Sequence, residues 1–344
     1  MGVNLRVLIP KTKVDFKSLS GKTVAIDAYN ALYQFLAIIR QPDGTPLKDR
    51  SGRTTSHLSG LFYRTANLVE MGVKVAYVFD GVPPALKEAE IKRRAKVKAE
   101  ALVKYEIAIR EGKVEKARSY AQMTSKLKDY MPDDSKRLLT ELGVPWIQAP
   151  SEGESQAAYL TMKGDADYCA SQDYDSLLFG ASALVRNVTI SGRRKLPRKN
   201  VYVEIVPEIM KLDQVLKDLD VTREQLIDVA ILVGTDFNPN GVKGIGPKTA
   251  LKLIKKHGSI EEAMLELEDA TFPAEPKRIR EIFIHPKVTD NYKLEWKAPN
   301  VDGVIDFLCR ERDFSEDRVR RTLNKMAEGL KEAKSKTTLE TWFG

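Results

Sequence analysis

Short apolar runs alternate along this chain with longer stretches in which apolar residues recur every three or four positions. The compact runs are β-rich. Thr23–Asp27 (TVAID) and positions 74–80 (KVAYVFD) each end in a carboxylate, and similar runs lie at 145–148, 167–171, 183–190 and 201–206. Helical periodicity marks 29–40, 56–71, 133–142 and 154–162. Pro83 and Pro84 interrupt the pattern before a long helical stretch at about 85–128. That stretch alternates charges and carries few large apolar residues, which predicts helices projecting from the body. Helices dominate after Pro207. Strands alternating with helices predict an α/β fold: a central mixed, mostly parallel sheet flanked by helices, with a helical portion packed on it.

Composition narrows the class without naming a function. The 344 residues carry a net charge of +8, three histidines and two cysteines. Two cysteines cannot staple a fold, which points to a reducing, cytoplasmic setting. No apolar run is long enough to span a membrane, and the N-terminus lacks the apolar core of a signal peptide. Arg6 stands where a myristoylation signal wants Ser or Thr. The charge is segregated. Positions 87–128 hold thirteen Lys/Arg against six Glu, and 186–199 hold six basic residues and no acid. Between them, 133–175 holds nine acids against three bases. Basic blocks suit a phosphate backbone, because Lys and Arg release its condensed counterions. An acidic centre repels that backbone unless cations bridge the two.

The acids fall at one structural place. Asp27, Asp80, Asp173 and Asp236 follow apolar runs, Asp175 is two residues beyond Asp173, and Glu152 and Glu154 open a helix after the 145–148 strand. In an open α/β sheet, ligands bind at the carboxyl ends of the strands. Carboxylates converging there need compensation, and Mg²⁺ prefers oxygen donors of this kind. The same positions also suit helix capping and dipole stabilisation. His57, His257, His285, Cys169 and Cys309 show no zinc spacing, and no nucleophile–base triad appears. Residues 241–249 (GVKGIGPKT) have the glycine separation of a Walker A loop, but Pro247 stands where that loop needs Lys. The segment reads instead as the turn of a helix-hairpin-helix between Arg223–Val233 and Pro247–His257. Gly244 and Gly246 would let amides approach a phosphate at a helix N-terminus, and Lys243, Lys248, Lys252, Lys255 and Lys256 favour that use. A glycine-rich helix–helix loop is the plainer alternative.

Taken together, these segments resemble the flap endonucleases, structure-specific 5′ nucleases of replication and repair. The resemblance runs through VAIDAYNALYQFL (24–36), TTSHLSGLFYRT (54–65), VFDGVPPALK (78–87), APSEGESQAA (149–158), SQDYDSLLFG (171–180), LVGTDFNPNGVKGIGPKTA (232–250) and FSEDRVR (314–320). It implies one nuclease domain over about 1–330, with an N-terminal region at about 1–98, a helical arch at about 85–130 and an internal region at about 116–258. The hairpin element would occupy about 223–257, and 331–344 would be a flexible tail.

The resemblance also implies roles. Asp27, Asp80, Glu152 and Glu154 would hold one Mg²⁺ and Asp173, Asp175 and Asp236 a second, with Mn²⁺ able to substitute. Lys87 and Arg94 match a basic pair that polarises the scissile phosphate, and their spacing suggests one helix face. Tyr33 matches an aromatic that stacks near the scissile nucleotide, and Gly2 an N-terminal glycine beside the site. Thr55, Arg312, Phe314 and Arg318 would line a pocket for a one-nucleotide 3′ flap, with Arg64 also on DNA. The hairpin would bind duplex through Lys243, Gly244, Gly246 and Lys248, and K⁺ through carbonyls near Gly241, Val242 and Ile245. Leu339, Trp342 and Phe343 match a peptide that docks on a PCNA-type sliding clamp, although such an apolar end can also fold back on the body. The expected activity is two-metal cleavage of 5′-flap and nicked DNA, with 5′–3′ exonuclease activity, in Okazaki fragment maturation and base excision repair. The protein is expected to be a monomer without membrane contact. The chain stopping at this peptide suits an archaeal, cytoplasmic, nucleoid-associated member more than a nuclear one.

Overall fold

A computed structural model of the chain describes residues 2–189, 193–195, 202–267 and 271–343. Its strands are β1 (Thr12–Lys13), β2 (Thr23–Asp27), β3 (Lys74–Phe79), β4 (Trp146–Gln148), β5 (Tyr168–Ala170), β6 (Ala183–Arg186), β7 (Arg193–Lys195), β8 (Tyr202–Glu204) and β9 (Glu208–Lys211). Its α-helices are α1 (Ala28–Ile38), α2 (Ser56–Glu70), α3 (Glu88–Arg110), α4 (Val114–Met123), α5 (Tyr130–Glu141), α6 (Gly153–Lys163), α7 (Asp175–Leu178), α8 (Leu212–Leu219), α9 (Arg223–Val233), α10 (Pro247–His257), α11 (Ile260–Ala263), α12 (Pro276–Ile284), α13 (Val301–Ile305) and α14 (Glu316–Phe343). Seven strands make a mixed, mostly parallel sheet flanked by helices, and β7 and β8 form a separate two-stranded ribbon. The chain divides into two compact units. The first comprises residues 1–15, 80–93 and 148–290, and the second residues 16–79, 94–147 and 291–344.

In the second unit the sheet runs β2–β3–β4, with β2 parallel to β3 from Thr23 opposite Lys74 to Asp27 opposite Val78. Val24, Ala25, Ile26 and residues 75–79 are buried, as expected of strands covered on both faces. Asp27 ends β2 and caps α1, its carboxylate accepting the Asn30 N–H at 3.0 Å. Helix α1 buries Ala28, Ala31, Leu32, Phe35 and Leu36, one stripe at the helical period. Gly60 lies mid-helix in α2 because a Cβ there would come within 2.2 Å of the Phe35 ring. The backbone of α2 therefore packs directly on α1, at the modest propensity cost of an interior glycine.

In the first unit the sheet order is β1–β9–β6–β5, with β5 parallel to β6 and β9 antiparallel to both neighbours. Helices dominate after Pro207 as expected, but β9 was not read there, and β1 also went unread. Both are short, β1 at the sheet edge and β9 inside it, with too few residues to show alternation. The 183–190 run is a strand only to Arg186, and half of the second basic block, positions 190–192 and 196–199, lies outside the described residues. Helix α9 starts at a capping box: Thr222 Oγ1 accepts the Gln225 N–H at 3.2 Å, and Gln225 Oε1 accepts the Thr222 N–H at 3.0 Å. Its residues 226–232 are all buried, making it the central helix of this unit.

A buried ion cluster locks α9 to its neighbours. Arg280 on α12 donates to both Asp228 oxygens at 2.7 and 2.9 Å and to Glu261 at 2.7 Å, while Asp228 also accepts the Ile260 N–H at 3.0 Å. Burial raises the Asp228 carboxyl pKa while Arg280 pulls it back down. Asp228 is 2% exposed, so Arg280→Ala strands a buried carboxylate. We expect a loss on the order of 3 kcal/mol, read as a lowered thermal midpoint. Arg280→Ala combined with Asp228→Leu should recover much of it.

Candidate active site and nucleic-acid interface

Six of the seven sequence-predicted carboxylates, Asp80, Glu152, Glu154, Asp173, Asp175 and Asp236, belong to the first unit. Asp80 follows β3 and accepts the Gly153 N–H at 2.6 Å. Glu152 occupies the N-cap position of α6 without a side-chain capping bond, which leaves its carboxylate for other use. Glu154, in the first turn of α6, accepts the Ser176 N–H at 3.1 Å and its hydroxyl at 2.5 Å. Asp175 begins α7 and accepts the Val3 N–H at 2.8 Å. Gly2 lies against the same carboxyl, where a Cβ would come within 2.5 Å of it, so the N-terminal strap and Asp175 meet as expected. Asp236 follows α9 and is buried. The seventh, Asp27, lies in the second unit, where the capping reading is realised.

Lys87 lies among these acids. Its ammonium contacts Glu152 and reaches Asp236 at 3.1 Å. Burial works to lower its pKa, but Glu152, Asp236 and Asp80 outweigh that and hold it charged. Burial pushes Asp80 up to about 6, against the pull of the Gly153 N–H and Lys87. Burial, with the neighbouring Asp236 and Asp173, pushes Asp175 up to about 7. Carboxylates held so far above their ordinary range are short of positive charge. No group of three or more His, Cys, Asp or Glu side chains among the described residues is drawn close enough to hold a metal ion as it stands. The donor chemistry nevertheless fits one: the acids are all-oxygen ligands of the kind hard divalent cations take. Lys87 itself corrects one expectation. It lies in a 3-10 turn at Ala85–Lys87, immediately before α3, so it does not share one continuous α-helix with Arg94.

The remaining predicted residues distribute as follows. Tyr33 on α1 is 36% exposed, and the Lys98 ammonium sits 4.4 Å from its ring centroid. Burial, Arg94 and Lys126 all lower the Lys98 pKa, so three bases crowd this part of the second unit. Lys98 was not singled out in the sequence, because it is one of thirteen basic residues in that block. The long helical stretch is divided near Gly112 into α3 and α4. Thr55 is the N-cap of α2 and is 4% exposed, with no side-chain capping bond. Arg64 is half-buried on α2, which lowers its pKa. Arg312 bonds Asp134 at 3.4 Å, Phe314 is half-buried, and Arg318 on α14 is exposed and acts electrostatically on Tyr63. Asp134, Arg53 and Tyr130 complete this cluster and were missed. Tyr130 and Asp134 lie on α5 and Arg53 in the loop before α2, where their types carry no sequence signal of a shared cluster.

The hairpin forms with the helix bounds expected. Gly241 turns the chain at φ 53°, where a Cβ would come within 2.4 Å of the Val233 carbonyl. Lys243, Gly244, Gly246 and Lys248 are all exposed, and Gly246 caps α10 without a side chain. That leaves the helix N-terminus open to an anion. Of the other lysines, Lys255 pairs with Asp220 at 2.9 Å and Lys256 with Glu266 at 2.5 Å, so these two serve the fold. The Val242 carbonyl accepts the Ile245 N–H at 3.0 Å. Helix α14 runs to Phe343, so the segment read as a flexible tail is helical in backbone up to that residue. The side chains of Leu339, Trp342 and Phe343 lie outside the described residues. No helix among the described residues is long and apolar enough to cross a membrane.

The acids gathered in the first unit, the N-terminus tied to one of them and the exposed hairpin accompany matches to nucleases of the XPG type. The XPG N-terminal domain matches residues 1–101 and the XPG I-region residues 143–236. The chain is 56% identical to Flap endonuclease 1 of Staphylothermus marinus, covering 100% of both chains, and 52% identical to that of Pyrococcus furiosus, covering 100% and 99%. The solved flap endonuclease-1 from Methanococcus jannaschii superposes with a TM-score of 0.76 at 42% identity, covering 96% and 99%. The catalytic core of Rad2 in complex with DNA substrate shares the fold at a TM-score of 0.69 and 24% identity, covering 92% and 96%. The chain belongs to the flap endonuclease family and is a structure-specific nuclease that uses divalent metal.

Proposed function

We propose that this protein cuts the phosphodiester at the junction of a 5′ single-stranded flap and duplex DNA, leaving a 5′ phosphate. It also acts as a 5′–3′ exonuclease at nicks, in Okazaki fragment maturation and base excision repair. The observation that carries this reading is the linkage of Asp80, Glu152, Asp173, Asp175 and Asp236 in one unit through Lys87 and their shared fields. Asp80, Glu152 and Glu154 would hold one Mg²⁺, and Asp173, Asp175 and Asp236 a second; Asp27 joins the first set on sequence resemblance alone. Bound divalent ions supply Lewis-acid activation of water and stabilise charge on the leaving oxygen. Lys87 and Arg94 offset charge on the scissile phosphate. Tyr33 stacks a nucleobase, which takes the place of Lys98 on its ring. Thr55, Arg312, Phe314 and Arg318 receive an unpaired 3′ nucleotide, and the hairpin amides and lysines hold duplex phosphates without reading sequence. We assign K⁺ to the Gly241–Val242–Ile245 turn and a sliding clamp to Leu339, Trp342 and Phe343. The enzyme acts as a cytoplasmic monomer.

Cleavage of labelled 5′-flap, nicked and single-stranded DNA in Mg²⁺ and in EDTA tests the reading. Flap DNA should be cut at the junction only with metal. Duplex affinity should fall steeply with salt, with a log–log slope of about −0.9 per phosphate contact. Equal cutting of single strands and flaps, or a shallow salt dependence, would overturn the assignment.

A further inference from the structure

One cluster in the second unit has unfinished hydrogen bonding. His57, in the first turn of α2, is 0% exposed, and neither ring nitrogen has a hydrogen-bond partner among the described residues. Two other buried atoms of the same unit share that condition, Asp49 Oδ2 and Arg312 Nε. Arg312 is near enough to act electrostatically on both Asp49 and His57. The other bonds of these side chains are made. Asp49 Oδ1 accepts the Ser51 hydroxyl at 2.7 Å and the Arg53 N–H at 2.9 Å. Arg312 donates to the Glu311 carbonyl at 3.1 Å and, at a long 3.4 Å, to Asp134. The His57 ring stands edge-on to Tyr130 at 6.2 Å, and the Tyr130 hydroxyl accepts the Thr54 N–H at 3.1 Å.

Unpaired buried polar groups are rare, and several in one place call for a cause. Here donors and acceptors balance. A neutral imidazole brings one donor and one acceptor, Arg312 Nε–H is a donor and Asp49 Oδ2 an acceptor. Burial, with Arg312 and Arg53 alongside, pushes the His57 pKa down to about 3, so the ring is neutral at any working pH. A chain from Arg312 Nε–H to one ring nitrogen, and from the other N–H to Asp49 Oδ2, would satisfy all four atoms. The long Asp134 contacts leave the guanidinium room to make that shift.

We propose that Arg312, His57 and Asp49 form a hydrogen-bond relay that closes when an unpaired 3′ nucleotide fills the pocket beside Thr55 and Arg312, making His57 a positioning residue for 3′-flap selection. The inference rests on the pocket reading above. A nucleotide there excludes water from the guanidinium, and a low local dielectric strengthens each bond the guanidinium makes. The closed relay then ties the start of α2 to residues 311–314. Specificity comes from a relay that only an occupied pocket completes.

The test compares kcat/KM on 5′-flap duplexes with and without a one-nucleotide 3′ flap. His57→Leu should shrink the wild-type preference for the 3′ flap by about tenfold, through KM, and His57→Gln, which keeps a donor and an acceptor, should restore most of it. With only three histidines in the chain, ¹⁵N ring spectra can follow His57 directly. In Ca²⁺, the 3′-flapped duplex should fix one neutral tautomer, and the unflapped duplex should leave the spectrum unchanged. A wild-type preference that survives His57→Leu, a Gln variant as poor as Leu, or a spectrum that responds alike to both duplexes overturns the relay. A wild-type enzyme indifferent to the 3′ flap overturns the pocket reading beneath it.

Discussion

Asp175→Asn should lower Mg²⁺-dependent flap cleavage by at least about 10³-fold while leaving duplex binding in Ca²⁺ within a few-fold of wild type. Asp175 is 5% exposed, and burial, with Asp236 and Asp173 alongside, pushes its pKa up to about 7. Such a carboxylate is costly to keep ionised unless a cation compensates it. The asparagine is nearly isosteric and keeps an oxygen to accept the Val3 N–H, so the N-terminal strap should stay in place. The charge is lost with little change of shape. Single-turnover cleavage set beside fluorescence anisotropy binding measures both quantities. Equal losses in cleavage and binding would mean that Asp175 serves the fold through Val3 rather than the chemistry.

Lys87→Ala with Arg94→Ala should lower single-turnover cleavage at saturating Mg²⁺ by about 10³-fold or more, far beyond its effect on duplex affinity. The Lys87 side chain is 19% exposed, and its ammonium is held charged by Glu152 and Asp236. A base so enclosed cannot contribute much to long-range attraction of a duplex, whereas the exposed Lys243 and Lys248 of the hairpin can. In the proposed mechanism its effect should therefore be local, on the phosphate that reaches the acids. Lys243→Ala with Lys248→Ala should do the reverse, weakening binding and reducing its salt slope by about 2 while sparing the cleavage step. Comparable losses of binding and cleavage in the Lys87/Arg94 variant would reduce that pair to generic phosphate contacts.

Local signals in the sequence marked the parts of the fold that local physics settles. Helices α9 and α10 have the bounds read from sequence because a capping box and a first-turn proline mark their starts and glycines their ends. Strands β2 and β3 were legible because they are buried on both faces and so are continuously apolar. The break in helix geometry after Lys87 left no such signal, since neither glycine nor proline separates Ala85–Lys87 from α3. Strand β9 was hidden because four residues paired on both edges need no pattern of their own.

The same division holds for the site. Residue type and order along the chain determined that carboxylates end the apolar runs, that basic blocks flank them and that a hairpin with open amides follows. These are properties of single segments. Which side chains touch was decided by tertiary structure alone. Only there does Lys87 meet Glu152 and Asp236, does Asp175 hold the Val3 amide, and do Asp49, His57 and Arg312 come together with unpaired atoms. The physical reason is that each partnership joins residues far apart in sequence. Its strength depends on burial and neighbouring charge, and neither exists until the chain is folded.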